Sequence, residues 1–351
     1  MPPEIMRPET EGQLADLIRG AIAPLSITGG GTRPWPGEGG GTHLDMTALT
    51  GVTLYEPEAL TLVVRAGTPL ETVRQTLAAE GQMLAFEPVG RDGSTIGGVA
   101  ATNASGPRRV QAGAARDAMI GVRFVDGQGE VIRNGGRVMK NVTGYDLVKL
   151  MAGSRGRLGA LTEISFRTAP LPPVTLTLAL PDLDAAAAIP ALSSALGGPY
   201  DVSGAAWLPG QGALIRLEGL AASVTSRAAD LTDRLQAHGA VTEGNPQAWL
   251  LLCPNTQDPQ ADIWRITCRP SEAPAVLSHL PEPLSLDWGG ALIHVRLPAD
   301  QIPDLPHFSG HARRIRGAAP ALHPAADPLT ARLERDLRAQ FDPRGLFGGD
   351  A

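Results

Sequence analysis

Cysteine is nearly absent from the sequence, with only Cys253 and Cys268 among 351 residues. Protein iron–sulfur clusters and structural zinc sites are held by about four Cys or His ligands. The chain therefore cannot hold such a cluster with its own cysteines. One disulfide between the two is the alternative to two buried free thiols, and we expect the free thiols.

Basic stretches and long apolar runs are absent as well. Lys and Arg number 30 against 36 Asp and Glu, for a net charge of −6, which argues against a nucleic-acid surface. No apolar run approaches the ~20 residues of a membrane span, and residues 1–12 lack the apolar core of a signal peptide. We expect a cytoplasmic protein that handles small ligands and reaches a membrane only through a partner.

The length and the 43% of hydrophobic residues are typical of two packed domains. Residues 169–173 (APLPP) form a stiff linker and predict the main boundary. We predict one domain over residues 1–170 and a second over residues 171–310. A C-terminal segment, residues 311–351, carries a helix with Leu329, Leu333, Leu337 and Phe341 on one side, which we expect to pack back on the first domain.

Local signals predict several elements. Thr10 and Gln13 form a capping-box pattern at a helix start, and Thr68 with Glu71 forms a second one. Residues 126–129 (DGQG) predict a hairpin between two strands. In the second half the order β-α-β-β-α predicts a ferredoxin-like sandwich over residues 174–238, and residues 263–297 repeat this pattern in part.

Four glycine-bearing segments stand out in the first half: residues 29–33, 95–109, 113–117 and 153–163. Glycine loses more conformational freedom on folding than any other residue, so a run of glycines usually serves a purpose. One such purpose is to let a phosphate approach the main chain closely. Two interpretations of residues 95–98 stand equally: free amides that donate to an anion near a helix N-terminus, and a helix–helix contact between small residues. The segments match neither the dinucleotide-binding Rossmann fingerprint nor a P-loop.

In order and spacing, these segments resemble the FAD-binding domain of the vanillyl-alcohol oxidase / p-cresol methylhydroxylase (PCMH-type) flavoprotein superfamily. Residues 135–147 are similar to its lactate and glycolate dehydrogenase branch. The motifs at residues 214–219, 264–266, 287–292, 310–313 and 341–347 resemble FAD-binding E subunits of bacterial glycolate oxidases. The resemblance implies an α+β fold: a PCMH-type FAD-binding domain of two α+β subdomains and a ferredoxin-like α+β cap domain for substrate or partner.

The resemblance also implies roles for particular residues. Residues 29–33 would wrap the FAD pyrophosphate, and residues 95–98 and 103–106 would lie along the pyrophosphate and the ribityl chain. Arg116 and Asp117 would support the loop under the flavin, and Glu163 and Ile164 would lie near the adenosine end. The implied FAD-binding positions are Gly29, Gly30, Gly31, Thr32, Arg33, Pro88, Thr95, Ile96, Gly97, Gly98, Asn103, Ser105, Gly106, Arg116, Asp117, Glu163 and Ile164. Residues 29–33 contain no histidine for covalent attachment, so the resemblance implies noncovalent FAD. Residues 348–351 depart from the family's C-terminal pattern.

Oxidation of a 2-hydroxy acid at a flavin needs a base for the hydroxyl proton and a cation for the carboxylate. The catalytic relatives carry a His-x-Gly-x-Gly-x-x-His motif that this sequence lacks. Weak candidates are His311 and His294 as bases, and Arg216, Arg265 and Arg296 as carboxylate ligands. For all five we favour a structural role. Tyr145 and Asp146 are expected to anchor a helix start.

These features favour an FAD-dependent oxidoreductase that is one subunit of a glycolate oxidase or dehydrogenase complex. Glycolate would become glyoxylate, with no metal held by this chain. The implied partners are a homologous flavoprotein subunit and an iron–sulfur subunit that takes the electrons. Two alternatives stay open: a stand-alone FAD enzyme for another 2-hydroxy acid, and a non-catalytic structural subunit.

Overall fold

The computed structural model describes residues 5–33, 41–136, 145–254, 261–316 and 327–348. The chain divides into two compact units. The first contains Met1–Gly106, Gly113–Leu171 and Ala325–Ala351, and the second contains Pro107–Ala112 and Pro172–Pro324. The second unit thus extends beyond the predicted end at residue 310, and it also includes a short segment from the first half of the sequence.

The elements of the first 170 residues alternate short strands with short helices. They are β1 (Ile5–Met6), α1 (Glu11–Gly20), β2 (Leu25–Thr28), β3 (Thr42–Asp45), β4 (Val52–Glu56), β5 (Thr61–Arg65), α2 (Leu70–Ala78), β6 (Gln82–Met83), α3 (Ile96–Ala101), α4 (Arg109–Ala112), α5 (Ala115–Ala118), β7 (Met119–Val125), β8 (Val131–Gly135), α6 (Leu147–Met151), β9 (Ala160–Arg167) and β10 (Ala169–Pro170).

Two main sheets build the first unit. Strands β1, β3 and β2 form a parallel sheet with β3 in the middle. Strands β4, β5, β9, β7 and β8 form an antiparallel sheet in that order. Each sheet has its own apolar core: Leu14 and Ile18 of α1 pack against the small sheet, and Phe124 and Phe166 lie in the core of the large one. This arrangement of two α+β subdomains is the predicted one.

The local predictions in this unit have mixed outcomes. The capping box of α1 is confirmed, because Gln13 N donates to Thr10 Oγ1 and Gln13 Oε1 accepts from the Thr10 amide. The β7–β8 hairpin at residues 126–129 is also confirmed. The cap predicted for α2 is wrong, because Pro69 is the N-cap and Thr68 Oγ1 instead donates to Arg65 O at 2.7 Å. Asp146 caps α6 as expected, through Lys149 N at 3.1 Å.

The remaining elements continue in chain order. They are β11 (Val174–Leu180), α7 (Ala185–Leu196), β12 (Val202–Leu208), β13 (Gly212–Gly219), α8 (Ala221–Leu235), β14 (Thr242–Glu243), β15 (Ala261–Thr267), α9 (Ala273–Leu277), β16 (Ser285–Asp287), β17 (Leu292–Pro298), β18 (His311–Arg316) and α10 (Pro328–Phe341).

One antiparallel sheet of eight strands organises the second unit, in the order β14-β11-β13-β12-β16-β17-β15-β18. The first four strands follow the ferredoxin-like pattern that the sequence predicts, and the last four repeat it in mirror order. Strands β12 and β16 join the two halves through the pair Trp207 and Leu286. Helices α7, α8 and α9 supply Leu192, Leu231 and Val276 to the core on one face of the sheet.

Strand β18 explains why the second unit reaches past residue 310. It pairs with β15 over His311–Arg316, so this stretch completes the sheet. Helix α10 belongs to the first unit, but its leucines do not pack as expected. Leu329, Leu333 and Leu337 are 66%, 55% and 39% exposed, and the aromatic ring of Phe341 makes the helix's contact with the core through Phe124, with centroids 5.9 Å apart.

Both cysteines are free thiols, as expected. Cys268 is buried, and burial raises the pKa of its thiol to about 11. Cys253 is only half-buried, so that part of the prediction is wrong. No helix within the described ranges combines the length and the apolar character that crossing a membrane requires.

Candidate functional site

A cavity of about 160 Å³ lies in the first unit beside β2 and the loop that follows it. Its walls come from residues 26–33, from α3 and its N-cap, and from residues 155–161. The fold thus brings together three of the four glycine-bearing segments. The other one, residues 113–117, does not line this cavity.

Close packing between two loops accounts for the first glycines. A Cβ on Gly30 would lie 1.6 Å from the carbonyl oxygen of Gly93, and a Cβ on Gly29 would lie 2.3 Å from Thr95 Oγ1. Gly31 has a φ of +64°, which favours glycine. These backbone constraints give Gly29 and Gly30 a packing reason as well, and the role of the loop at a phosphate stays a prediction.

The amides of the same loop are nevertheless suited to bind an anion. Within the described ranges, no residue accepts a hydrogen bond from the amides of Gly29, Gly30, Gly31 or Thr32. Successive main-chain N–H groups of this kind form concave anion sites. The loop therefore fits the diphosphate of a nucleotide cofactor.

Helix α3 differs from the expectation of free amides. The amides of Ile96 and Gly97 donate to Thr68 O at 2.9 Å and Ala66 O at 2.7 Å, and the Gly98 amide donates to Thr95 Oγ1 at 3.2 Å. A Cβ on Gly97 would lie 2.7 Å from the Ala66 carbonyl oxygen. The small residues of α3 therefore allow close backbone packing, which is the alternative interpretation.

Two side chains of the loop are held by the chain itself. Thr32 Oγ1 and Ser94 Oγ are 3.0 Å apart, and the Arg33 guanidinium donates to Ser94 Oγ and to the Val89 carbonyl oxygen. Arg33 is half-buried and lines the cavity. Its charge thus stands beside the free amides, although its hydrogen bonds also fix the loop.

Arg155 is a charged residue of the cavity wall that the sequence analysis did not assign to the cofactor. It lies in the wall, its amide donates to Ala101 O at 2.9 Å, and its φ of +57° is unusual for a residue with a side chain. The signal was present, since residues 153–163 stood out, but only Glu163 and Ile164 were assigned there. A positive charge at this wall suits a diphosphate.

The predicted flavin-loop residues form a cap around α5. Asn103 Oδ1 accepts from Arg116 N at 2.9 Å, Ser105 Oγ accepts from Ala115 N at 3.0 Å, and Asp117 Oδ2 accepts from Ala114 N at 2.8 Å. Asn103 has a φ of +48°. These side chains hold a tight loop in place, and they do not line the glycine-rich cavity.

A second cavity, of about 210 Å³, lies along the large sheet and is lined mainly by polar groups. Glu163 lines this cavity, and Thr53 Oγ1 donates to Glu163 Oε2 at 2.8 Å. Arg123 and Arg133 bring positive charge to the same space. Strand β9 passes both cavities, because Leu161 lines the first and Glu163 and Ser165 line the second.

Three other predicted FAD contacts lie elsewhere. Ile164 is 0% exposed, and its side chain belongs to the core of the large sheet. Pro88 is buried, and its carbonyl oxygen accepts from the Arg74 guanidinium. Gly106 packs so tightly that a Cβ would lie 2.2 Å from Glu87 O. None of the three lines either cavity, and their contacts with FAD stay predictions.

The candidate bases lie in the second unit. His294 is 6% exposed, and its Nδ1 is 3.0 Å from Ser285 Oγ. His311 is exposed, with its ring beside Thr267 Oγ1 at 3.1 Å. The two histidines lie on different strands, β17 and β18, which flank β15.

The candidate arginines have three different environments. Arg216 is buried, donates to Ser203 and lies over the Trp249 ring at 4.6 Å, as expected for a structural residue. Arg296 is exposed on β17. Arg265 is half-buried beside Trp288, with the guanidinium carbon 5.2 Å from the ring centroid.

Comparison with known proteins agrees with this geometry. The family model described as "FAD binding domain" matches residues 2–135. A solved structure of alkyldihydroxyacetonephosphate synthase has a TM-score of 0.69, at 14% identity, over 97% of this chain and 76% of that one. The family match and the fold together define an FAD-binding protein, and they confirm the predicted α+β fold.

The relatives narrow this class. The chain is 36% identical over 345 residues to glycolate oxidase subunit GlcE of Escherichia coli strain K12, which covers 95% of both proteins. It therefore belongs to the GlcE family of glycolate oxidase subunits. Glycolate oxidase subunit GlcD of Bacillus subtilis strain 168 is 34% identical over 160 residues, covering 45% of this chain and 33% of GlcD.

Proposed function

We propose that the chain is the FAD-binding subunit of a complex that oxidises glycolate to glyoxylate. The carrying observation is the loop at residues 29–32, which lines the glycine-rich cavity and whose amides have no acceptor in the described structure. The 36% identity to GlcE over 95% of both chains supports the choice of glycolate. A complex is supported because the names of both GlcE and GlcD describe subunits.

The two cavities suit the two ends of the ADP portion of FAD. The amides of residues 29–32 and the Arg155 guanidinium would hold the diphosphate, and the polar cavity at Glu163 would hold the adenosine. Leu161 lines the first cavity and Ser165 the second, and the two residues are four positions apart on β9. At the usual strand rise this separation is roughly 13 Å. The flavin contacts at Asn103, Ser105, Gly106, Arg116 and Asp117 remain predictions, as do those at Pro88 and Ile164.

Oxidation of glycolate removes two electrons and two protons from its CH–OH group, and FAD, when bound, would supply the two-electron acceptor. The chain lacks the His-x-Gly-x-Gly-x-x-His motif. Its His294 is buried against Ser285 and its His311 is exposed. We therefore place most of the substrate chemistry, the electron transfer together with the proton transfer, on a homologous flavoprotein subunit. We place the onward electron path on an iron–sulfur subunit, because two cysteines cannot ligate a cluster.

Anaerobic flavin bleaching tests this proposal. The purified chain is expected to take up FAD, and its flavin absorbance should bleach with glycolate only when the partner subunits are present. Bleaching of the isolated chain would indicate a stand-alone enzyme. A chain that takes up no FAD, alone or in the complex, would contradict the proposal.

Substitution of Arg155 tests the diphosphate site. Arg155→Gln is expected to weaken FAD affinity roughly tenfold, because a charged partner of a phosphate is lost. Arg332→Gln, on the exposed surface of α10, is the matched control and should leave the affinity unchanged. The affinities are measured by flavin fluorescence during titration of the apoprotein, and equal values for the two variants would remove Arg155 from the site.

A further inference from the structure

One carboxylate of α1 is bonded to the strands that form the polar cavity. Glu11 lies in the first turn of α1 and outside the described linings of both cavities. The Arg123 guanidinium donates to both carboxylate oxygens of Glu11, through Nε at 3.2 Å and through a second nitrogen. Thr162 Oγ1 donates to Glu11 Oε1 at 2.6 Å. Glu11 thus joins α1 to β7, which carries Arg123, and to β9, which carries Thr162.

Glu163 stands directly opposite Arg123 in the large sheet. The two residues are register partners on β9 and β7, and both line the polar cavity. Within the described residues, the side-chain hydrogen bonds of Arg123 all go to Glu11. Glu163 Oε2 accepts from Thr53 Oγ1 at 2.8 Å, while Glu163 Oε1 accepts no hydrogen bond in the described structure. One oxygen of Glu163 is therefore available as an acceptor at the cavity wall.

The charges of this group are fixed at neutral pH. Burial alone would raise the pKa of Glu11, but the hydrogen bonds from Arg123 and Thr162 lower it below its ordinary value of 4.5. The hydrogen bond to Glu11 raises the pKa of Arg123, and the charge of Glu163 acts in the same direction. Arg123 is thus a permanent cation beside two carboxylates. The carboxylate to which it is bonded decides which one is left for a ligand.

Loss of the Glu11 charge would redirect Arg123. Arg133 lies opposite Arg123 on β8, and like charges directly opposite one another destabilise a sheet. Glu163 is the carboxylate that remains for Arg123 in the described lining of the cavity. A guanidinium paired with a carboxylate frequently occupies both of its oxygens. The bond to Glu11 therefore keeps Arg123 from occupying Glu163.

We propose that Glu11 is a positioning residue of the adenosine site: it holds Arg123, so that the Glu163 carboxylate accepts hydrogen bonds from the ribose hydroxyls. Hydroxyl groups are donors and an ionised carboxylate is an acceptor only, so the two are complementary. Acidic residues bind ribose hydroxyls in this way in dinucleotide sites of another fold. The inference rests on the proposed function, because it takes the ligand of the polar cavity to be the adenosine of FAD.

Calorimetric titration of the full-length apoprotein with ADP, which is the part of FAD that carries the ribose, tests this role. Glu11→Gln should weaken ADP binding roughly tenfold, because Arg123 then competes for the acceptor of a charge-assisted hydrogen bond. Binding of 2′,3′-dideoxyadenosine 5′-diphosphate, which lacks both hydroxyls, should be the same in Glu11→Gln and in wild type. Glu9→Gln is the matched control, because it removes an exposed carboxylate just before α1 and should leave both affinities unchanged.

A second substitution shows whether Glu11 acts through Arg123. Arg123→Met should keep the wild-type affinity for ADP, and the double variant should bind ADP like Arg123→Met, because the competing cation is gone. Wild-type ADP affinity in Glu11→Gln would overturn the proposal. An equal loss for ADP and its dideoxy analogue, as a folding defect would cause, would also overturn it, and so would a double variant as weak as Glu11→Gln.

FAD uptake by the wild-type apoprotein, followed by flavin absorbance, separates this inference from the proposed function. Absence of uptake would contradict the proposed function and the role of Glu11 together. Uptake combined with any of the contrary ADP results would overturn the role of Glu11 alone.

Discussion

At Gly30, a single missing side chain decides whether two loops can meet. The carbonyl oxygen of Gly93 occupies the position where a Cβ would stand. Backbone atoms cannot move aside as flexible side chains do, so the contact tolerates no larger residue. The same loop lines the cavity with amides that lack acceptors in the described structure, so the packing of the loop and its capacity to bind an anion involve the same residues.

Gly30→Ala is therefore expected to lower both stability and FAD binding. The added methyl group forces the two loops apart, at a cost of about 1–3 kcal/mol, and displaces the amides. Gly20→Ala is the control, because a Cβ there meets nothing within 4 Å and Gly20 ends α1. That change should be neutral or stabilising by about 0.5–1 kcal/mol. Thermal unfolding and FAD titration of both variants check this, and a Gly30→Ala protein with wild-type stability would contradict the geometry.

At the scale of elements, helix α2 shows how tertiary contacts replace a local signal. The sequence favours Thr68 as its cap, yet the Leu70 amide donates to Ser94 O and the Ile96 amide donates to Thr68 O. These bonds join the start of α2 to the chain before α3. Thr68 is 0% exposed, and its hydroxyl donates a hydrogen bond to the Arg65 carbonyl oxygen. In α1 no such neighbour intervenes, and the local capping box forms.

Helix α10 offers a test of which of its apolar residues stabilise the fold. Phe341→Ala should destabilise the chain by about 3 kcal/mol, because its ring packs against Phe124 in the core. Leu333→Ala is the control on the exposed side of the same helix and should change stability by less than about 0.5 kcal/mol. Urea unfolding measures both. A large loss for Leu333→Ala would mean that the leucine side is packed in solution.

At the scale of the whole molecule, a charged network secures the short segment that the second unit takes from the first half of the sequence. The Arg108 guanidinium donates to both carboxylate oxygens of Glu218, at 2.6 and 2.8 Å. Thr175 Oγ1 also donates to this carboxylate, at 3.2 Å. Burial alone would raise the pKa of Glu218, but the Arg108 hydrogen bond and the charges of Arg216 and Arg108 lower it.

This network predicts a dependence of stability on pH. The folded pKa of Glu218 lies below its ordinary value of 4.5, so its contribution is complete above pH 4.5 and is lost as the pH falls through the folded pKa. Glu218→Gln should cost about 3 kcal/mol at neutral pH, and the difference from wild type should shrink in acid.

Urea unfolding of wild type and variant over a pH series measures this difference. Glu243→Gln is the control, because Glu243 is exposed on β14. If the loss of unfolding free energy in Glu218→Gln stayed constant as the pH was lowered, the loss would come from altered packing and not from the missing charge.

The candidate site was predictable only in part. Residues 29–33 were identified because three glycines in a row are conspicuous in any sequence. Arg155 was not identified, because its place in the wall depends on how the end of α3 meets the loop after α6, through the bond from Arg155 N to Ala101 O. The sequence offered the backbone amides of both the glycine loop and α3 as anion donors, but the Ile96 and Gly97 amides of α3 donate to the carbonyl oxygens of Thr68 and Ala66. Those partners are invisible in a linear pattern.

The sequence by itself determined the family, through motifs in a fixed order, and the order of helices and strands over residues 174–238. It also determined the α1 cap and the β7–β8 hairpin, since these depend on residues close together along the chain. Only the tertiary structure decided which glycines pack and which amides remain as donors, and that β18 completes the second sheet. It also decided that Arg265 and Arg313, 48 residues apart, stand side by side. The physical reason is that strand register and loop-to-loop contact join distant segments, and no local pattern carries that information.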